Sequence, residues 1–257
     1  MTDRPVPTAP RAGRTTVLWE VLREALADLV GGAGPASGAR RPLDIVDAGG
    51  GTGGAAVPLA ELGHQVTVVE PSPDSLAALE RRAAEAGVRV RGVQGDTADL
   101  AHLVPAGSAD LVLVHNVLEY VDDPAVSLAD IAGVVRPGGA VSLLVANAVA
   151  AVVHRAATGN LADAARLLAD PDGTWGAGDP MPRRFTLAGC TALLEAAGLR
   201  AGAVHGVQVL ADLVPARLVD GDAEALAALL DLERTAAVHP GLREIATQLH
   251  LLAHRPA

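Results

Sequence analysis

Residues 43–60 read LDIVDAGGGTGGAAVPLA, and this stretch decides the fold. A short apolar run closes on Asp47 and Ala48, five of the six positions 49–54 are glycine, and an alanine-rich segment follows. Glycine gives up more backbone entropy on folding than any other residue, so a run this dense marks a turn where side chains would be in the way. Strand, glycine turn and helix in succession are the first unit of a doubly wound sheet, in which ligands lie at the carboxyl ends of the strands. Glycines at that turn let a ligand rest against the backbone and aim the N–H groups of the next helix at it.

Working outward, the same alternation continues. Residues 44–49, 65–70, 88–95, 109–116 and 140–147 read as strands. Residues 53–63, 73–86 (capped by Ser72) and 124–135 read as helices, the last stopped by Arg-Pro-Gly-Gly. Strands separated by helices of this length imply right-handed crossovers and a mostly parallel sheet. Before the glycine turn, residues 14–30 place Val17, Leu18, Val21, Leu22, Ala25, Leu26 and Leu29 on one helical face. Residues 1–13 are proline-rich and read as loose, and residues 31–42 read as a linker. Past residue 150, two short helices flank Thr158-Gly159-Asn160, and 170–184 reads as a turn-rich mobile loop. Helices over 186–197 and 222–238 alternate with strands over 199–210 and 246–255. The expected architecture is α/β: a doubly wound, mostly parallel, seven-stranded sheet with helical insertions in the C-terminal half. The chain reads as one domain over 1–257, with an N-terminal tail and helix (1–42), a ligand-binding half (43–147) and a substrate-side half (148–257).

Composition excludes several classes. The chain has 257 residues, 50% hydrophobic and 19% charged, the balance of a globular protein. At this length it can bury roughly 70–75% of its unfolded surface without disulfide or metal support. One cysteine, Cys190, rules out an internal disulfide and a cysteine-built zinc site. No metal is expected. The first residues carry arginine but no apolar core, so they do not read as a signal peptide, and the longest apolar run is too short for a bilayer. A cytoplasmic location is expected, and no membrane partner. All 20 basic residues are arginine against 30 acids, giving a net charge of −10. That disfavours non-specific nucleic-acid binding, though not a local arginine patch.

Individual residues then suggest a ligand. Glu70 ends the second strand about 20 residues past the glycines, where an acid can bind a ribose hydroxyl pair. Gly49 to Gly54 also satisfies the dinucleotide pattern G-x-G-x-x-G. Asp47 argues against paired phosphates, since an acid two residues before the first glycine would repel pyrophosphate and suit an ammonium group. Asp96 and Thr97 after the third strand could meet an adenine, or could simply cap the next helix. Ammonium, ribose and adenine together describe S-adenosylmethionine.

DAGGGTG (47–53), with the Glu70 position, GDT (95–97) and VRPGG (135–139), resembles class I S-adenosylmethionine-dependent methyltransferases, which have a Rossmann-like fold. Over almost the whole chain a closer resemblance is to the bacterial tRNA 5-carboxymethoxyuridine methyltransferases. It rests on Arg14 with VLW (17–19), DAGGG, HNVLEYVDDP (115–124), VRPGG, the Asn147 region, residues 154–161 and His250. The resemblance implies S-adenosylmethionine as cofactor and a carboxylate as acceptor. It implies cofactor contacts from Arg14, Gly49, Gly50, Glu70 and His115. Gly51, Gly53 and Pro71, which flank these positions, join the expected set with Asp47, Asp96 and Thr97. His115 and His250 are the candidate catalytic residues. Thr247 and Gln248 stand where the family carries an Arg-Tyr pair, and the family's basic middle run is replaced by Asp170 to Asp179, with Arg183 and Arg184 alone basic. These departures bear on the acceptor. By resemblance the acceptor is the 5-carboxymethoxyuridine at the tRNA wobble position; a methyltransferase of a small, acidic molecule is the alternative, and an NAD-dependent oxidoreductase a further one.

Overall fold

The computed structural model describes residues 9–31, 41–170 and 172–257, with side chains from Val17 onward. One sheet runs through both halves of the chain. Its strands are β1 (Asp44–Ala48), β2 (Gln65–Glu70), β3 (Arg91–Gln94), β4 (Ala109–His115), β5 (Val135–Ala146), β6 (Arg200–Val207) and β7 (Gln248–His254). Their order is β3-β2-β1-β4-β5-β7-β6. The first five strands are parallel, and β7 runs antiparallel to both β5 and β6. The expected seven-stranded, mostly parallel, doubly wound sheet is the one observed.

The helices are α1 (Ala9–Gly31), α2 (Ala56–Glu61), α3 (Pro73–Ala86), α4 (Leu100–Leu103), α5 (Pro124–Val134), α6 (Ala148–Ala157), α7 (Leu161–Ala169), α8 (Leu187–Ala196), α9 (Ala223–Val238) and α10 (Pro240–Arg243). Both faces of the sheet are covered, which is why β4 reads as an unbroken apolar run. On one face Leu111 and Leu113 of β4 pack with Leu22 and Leu26 of α1, Leu59 of α2 and Leu79 of α3. On the other, Val112 and Val114 pack with Leu128 and Ile131 of α5 and Cys190 and Leu194 of α8. Caps fix the helix starts: Ser72, Asp123, Asn147, Thr186 and Asp222 each accept a backbone N–H of the first turn.

Several boundaries differ from the sequence reading. α1 begins at Ala9 rather than 14, because Pro10 is tolerated within a first turn. The remainder of the tail and residues 32–40 of the expected linker lie outside the described residues. α2 begins only at Ala56, since Gly51 and Gly53 at φ +55° and +79° hold the preceding turn out of the helix. Arg-Pro-Gly-Gly does not separate α5 from a strand; β5 starts at Val135 and passes through it. A register shift opposite Ala109 and Leu111 absorbs the irregularity, Gly138 takes φ +77°, and a Cβ at Gly139 would lie 2.9 Å from the Asp110 carbonyl oxygen.

The turn-rich segment 170–184 is cross-braced. Arg184 pairs with Asp179 at 2.6 Å and also donates to the Gly173 carbonyl, while Thr174 Oγ1 donates to Asp170. Pro171 lies outside the described residues. No described helix is long and apolar enough to cross a membrane, and the described residues contain no cluster suited to a metal ion.

Candidate active site

The glycine turn is built by contacts that admit no side chain. Gly49 at φ +70° donates to the Val69 carbonyl at 2.7 Å, and a Cβ on it would lie 2.5 Å from Val117 Cγ2. A Cβ on Gly50 would lie 2.6 Å from the Asp47 carboxyl, and one on Gly53 2.3 Å from Leu79 Cδ1. Gly51 has open space around it but stands at φ +55°, a conformation that side-chain-bearing residues rarely adopt. Glu70 braces the turn. Its Oε2 accepts from Gly51 N at 3.0 Å and its Oε1 from Ser72 N at 3.1 Å. Each oxygen keeps lone-pair capacity for a further donor.

A cavity of about 310 Å³ opens over this turn. Its floor is Asp47, Gly49 and Gly50; His115, Asn116 and Leu144 wall it at the ends of β4 and β5; Leu18, Trp19 and Leu22 of α1 roof it. A larger hollow of about 1200 Å³ lies at the amino ends of β1 to β4, the edge opposite the glycine turn. Ligand sites of open α/β sheets lie at the carboxyl ends, so the smaller cavity is the candidate site.

Asp47 is 3% exposed, and no described residue gives it a hydrogen bond. Burial, with the nearby Glu70 charge, pushes its carboxyl up to about 7. A buried acid in this state is stabilised by an incoming cation. The bare glycine cradle, the acid and Glu70 therefore fit a ligand with an ammonium group and a ribose. Arg14 belongs to the backbone of α1, but its side chain lies outside what the structure describes.

His115 lies two residues past Leu113, on the α1 face of β4, and lines the cavity. Its Nε2 is 2.8 Å from Ser142 Oγ on β5, and the same oxygen is 2.8 Å from His250 Nε2 on β7. Burial lowers His115 to about 4 and holds His250 well below the ordinary histidine value, with His115 and His205 adding to the effect on His250. His250 is fully buried behind His115 and does not line the cavity. Asn116 was not foreseen. It stands at φ +57°, lines the cavity and accepts from Gln248 Nε2. Ser142 was not foreseen either. Nothing in the chain order marks it, since its partners are 27 and 108 residues away.

The remaining expected residues stand apart from this cavity. Asp96 caps a short 3-10 turn over Thr97–Asp99 in a reciprocal capping box with Asp99. Thr97 is the buried first residue of that turn, and the Pro71 carbonyl accepts from Gln94. Further along β5, a second cavity of about 380 Å³ is lined by Ala146, Asn147, His154, Arg155, Trp175 and Thr247, among others. Leu144 of the first cavity and Ala146 of the second are alternate residues of one strand, about 7 Å apart. Arg155 stacks on Trp175 at 3.6 Å. Beneath the strand end, Glu119 Oε1 accepts from Ala146 N at 2.6 Å, and burial raises its carboxyl.

Residues 46–143 match the family model described as a methyltransferase domain. Residues 46–143, about two fifths of the chain, are thus similar to a methyltransferase domain. The match spans β1 to most of β5 and contains Asp47, the glycine turn, Glu70, His115 and Ser142. Among curated proteins, the chain is 35% identical over 150 residues to the tRNA 5-carboxymethoxyuridine methyltransferase of Escherichia coli strain K12, covering 57% of this chain and 53% of that one. It is 38% identical over 106 residues to a ubiquinone biosynthesis O-methyltransferase of Methylobacterium nodulans, covering 39% of this chain and 41% of that one. The chain thus aligns with about half the length of the curated relatives it matches, or less. Among solved structures, magnesium protoporphyrin IX methyltransferase from Synechocystis PCC 6803 with bound SAH superposes with a TM-score of 0.62 at 16% identity, covering 99% of this chain and 90% of that one. The class I methyltransferase fold therefore extends beyond the methyltransferase domain model to nearly all of the chain.

Proposed function

We propose that this chain is an S-adenosylmethionine-dependent methyltransferase that esterifies a carboxylate on a small acidic molecule. The observation that carries the cofactor half is Asp47, a buried acid without a described partner beneath a glycine cradle. When bound, S-adenosylmethionine supplies an electrophilic methyl group on a sulfonium. Asp47 would pair with the ammonium of its amino-acid tail, Glu70 would accept from the ribose hydroxyls, and the bare turn at Gly49 and Gly50 would let the ligand lie against the backbone. Trp19 and Leu22 exclude water from above. Alignment of the two reactants supplies most of the acceleration in such a displacement. A carboxylate is ionised at neutral pH and needs no base to make it nucleophilic.

The acceptor half rests on the number of charges: a polyanion needs several free arginines along its length, whereas a single carboxylate needs one donor. Arg155 and Arg184 line the second cavity, Arg166 and Arg183 lie on the same insert, and each is paired with an aspartate: Asp163 with Arg155 and Arg166, Asp172 with Arg183 and Asp179 with Arg184. Phosphate docking would have to break these pairs in a chain of net charge −10. A second reading, a carboxylate on the wobble uridine of tRNA, is favoured by the 35%-identical relative, whose name is tRNA 5-carboxymethoxyuridine methyltransferase. Calorimetric titration with S-adenosylhomocysteine and with NAD tests the cofactor: micromolar binding of the first and none of the second is expected, and the reverse would make the chain an oxidoreductase candidate. Mass spectrometry of wobble nucleosides from a deletion strain tests the acceptor. Unchanged tRNA ester levels are expected; their loss would select the second reading.

A further inference from the structure

Ser142 places one hydroxyl between two imidazoles. Its Oγ is 2.8 Å from His115 Nε2 and 2.8 Å from His250 Nε2, and both Ser142 and His250 are 0% exposed. A hydroxyl has one hydrogen, so it donates to one ring and accepts from the other. The two histidines therefore cannot choose their tautomers independently. Either His115 carries its hydrogen on Nε2 and His250 on Nδ1, or the reverse.

Two observations select the reverse. His250 Nδ1 is buried with no described partner, and so is Nδ1 of His205, whose ring centroid lies 5.7 Å from that of His250. A hydrogen on His250 Nδ1 would be an orphaned donor inside the sheet, the rarest kind of buried defect. The second observation comes from the cavity. The groups facing His115 are Asp47 across the cavity floor, Ser142 from β5 and, behind it, His250 from β7; the α1 residues above it are Leu18, Trp19 and Leu22, none of them charged. With an acid on the cavity side, an N–H pointing outward is favoured over a lone pair. His205 at the far end of the row faces Glu24 of α1 and Arg243, whose charges act on it in opposite directions.

We propose that Ser142 is a positioning residue that locks this pair. His250 Nε2–H donates to Ser142 Oγ, the Ser142 hydroxyl donates to His115 Nε2, and His115 shows Nδ1–H to the cavity. His115 is then a hydrogen-bond donor and not a base, and the acceptor must arrive already ionised. This deepens the methyltransferase reading and rests on it. The step balances without a proton: the carboxylate oxygen bonds the methyl carbon as the carbon–sulfur bond breaks, and that bond's electron pair stays on sulfur. The acceptor's negative charge and the sulfonium's positive charge cancel in the products. A phenol or amine acceptor would leave a proton that His115 could not take.

The test is the tautomer itself. Protein labelled with ¹⁵N-histidine is examined by long-range ¹H–¹⁵N correlation, free and with S-adenosylhomocysteine, and His115 is assigned by the signals lost in His115→Asn. The expected spectrum shows His115 protonated on Nδ1 and bare on Nε2, with His250 the opposite, both unchanged between about pH 6 and 8. His115 protonated on Nε2 overturns the proposal. In Ser142→Ala, shown folded by circular dichroism, His115 is expected to become a mixture of tautomers; a wild-type pattern there overturns the lock. Should that variant fail to fold, the wild-type spectrum alone decides. The expected tautomers without S-adenosylhomocysteine binding would sink the methyltransferase reading and leave the lock standing.

Discussion

At the scale of single residues, the proposed site is a set of defects that a bound ligand would repair. Asp47 is the largest. Because its folded pKa stands near 7, above the ordinary carboxylate value, the folded protein holds a proton that the unfolded chain releases. Stability of the ligand-free protein therefore falls as pH rises from about 4 to 7 and is level beyond. Asp47→Asn removes that cost. Its melting temperature should exceed the wild type's at about pH 8, the excess shrinking towards pH 4. The same substitution should weaken S-adenosylhomocysteine binding at least about 30-fold, since one member of a buried charge pair is worth roughly 2–5 kcal/mol. Calorimetry and thermal melts read both, and equal affinity in the two proteins would remove Asp47 from the site. Gly49 gives a second prediction. Gly49→Ala should cost about 2 kcal/mol or more in urea unfolding, from the left-handed φ and from Val117. Adding Val117→Ala should recover the clash but leave roughly 1 kcal/mol of backbone strain.

At the scale of elements, two buried carboxylates hold segments that local pattern could not place. Glu233 of α9 is fully buried and accepts three backbone N–H groups, from Val209, Leu210 and Ala211, at 3.0, 2.6 and 2.5 Å. It pins the chain after β6 to the helix that returns towards β7. Glu233→Gln turns one acceptor oxygen into a donor facing those N–H groups. It should cost about 3 kcal/mol in denaturant unfolding, within the range for lost hydrogen bonds to a charged group. Asp179 plays the matching part in 170–184. Burial alone would raise its carboxyl, but Arg184 and the backbone N–H groups of Met181 and Trp175 outweigh it and the net shift is downward. Asp179→Ala should open the segment to proteolysis near Trp175 while the melting of the sheet changes little, because the pair braces a loop and not a strand. Mass mapping of limited-digest fragments reads the result; unchanged protection would mean that the Arg155–Trp175 stack holds the loop unaided.

These elements also show where sequence reasoning reached and where it stopped. Strand alternation, the glycine turn and the cap at Ser72 are signals within a few residues, and they placed all seven strands and eight of the ten described helices; the one-turn helices α4 and α10 are too short to show a period. The bulged start of β5 was missed because Pro-Gly-Gly ordinarily ends an element; here Gly138 takes φ +77° and a register shift opposite Ala109 and Leu111 keeps the strand in the sheet. The row His115, Leu144, His250, His205 arises from register across four strands, and no spacing along the chain encodes it. Asp96 carries two local readings, adenine contact and a helix cap, and the fold shows the cap.

At the scale of the whole molecule, charge decides which acceptor can approach. The chain carries −10, and the arginines nearest the second cavity are already neutralised by aspartates on the same insert. Binding to nucleic acid draws its strength from counterions released as arginines meet phosphates, so its logarithm falls steeply with salt when many contacts form. An arginine held by an aspartate contributes little to that release. The chain should therefore bind bulk tRNA with a Kd above about 10 µM at roughly 0.15 M salt, and the apparent affinity should change by less than about tenfold between 0.05 and 0.2 M. Fluorescence anisotropy of labelled tRNA measures both. Submicromolar binding with a loss of about a thousandfold over that salt range would show six or more phosphate contacts. The aspartate pairs would then be switches that open for RNA, and the acceptor would be a tRNA carboxylate after all.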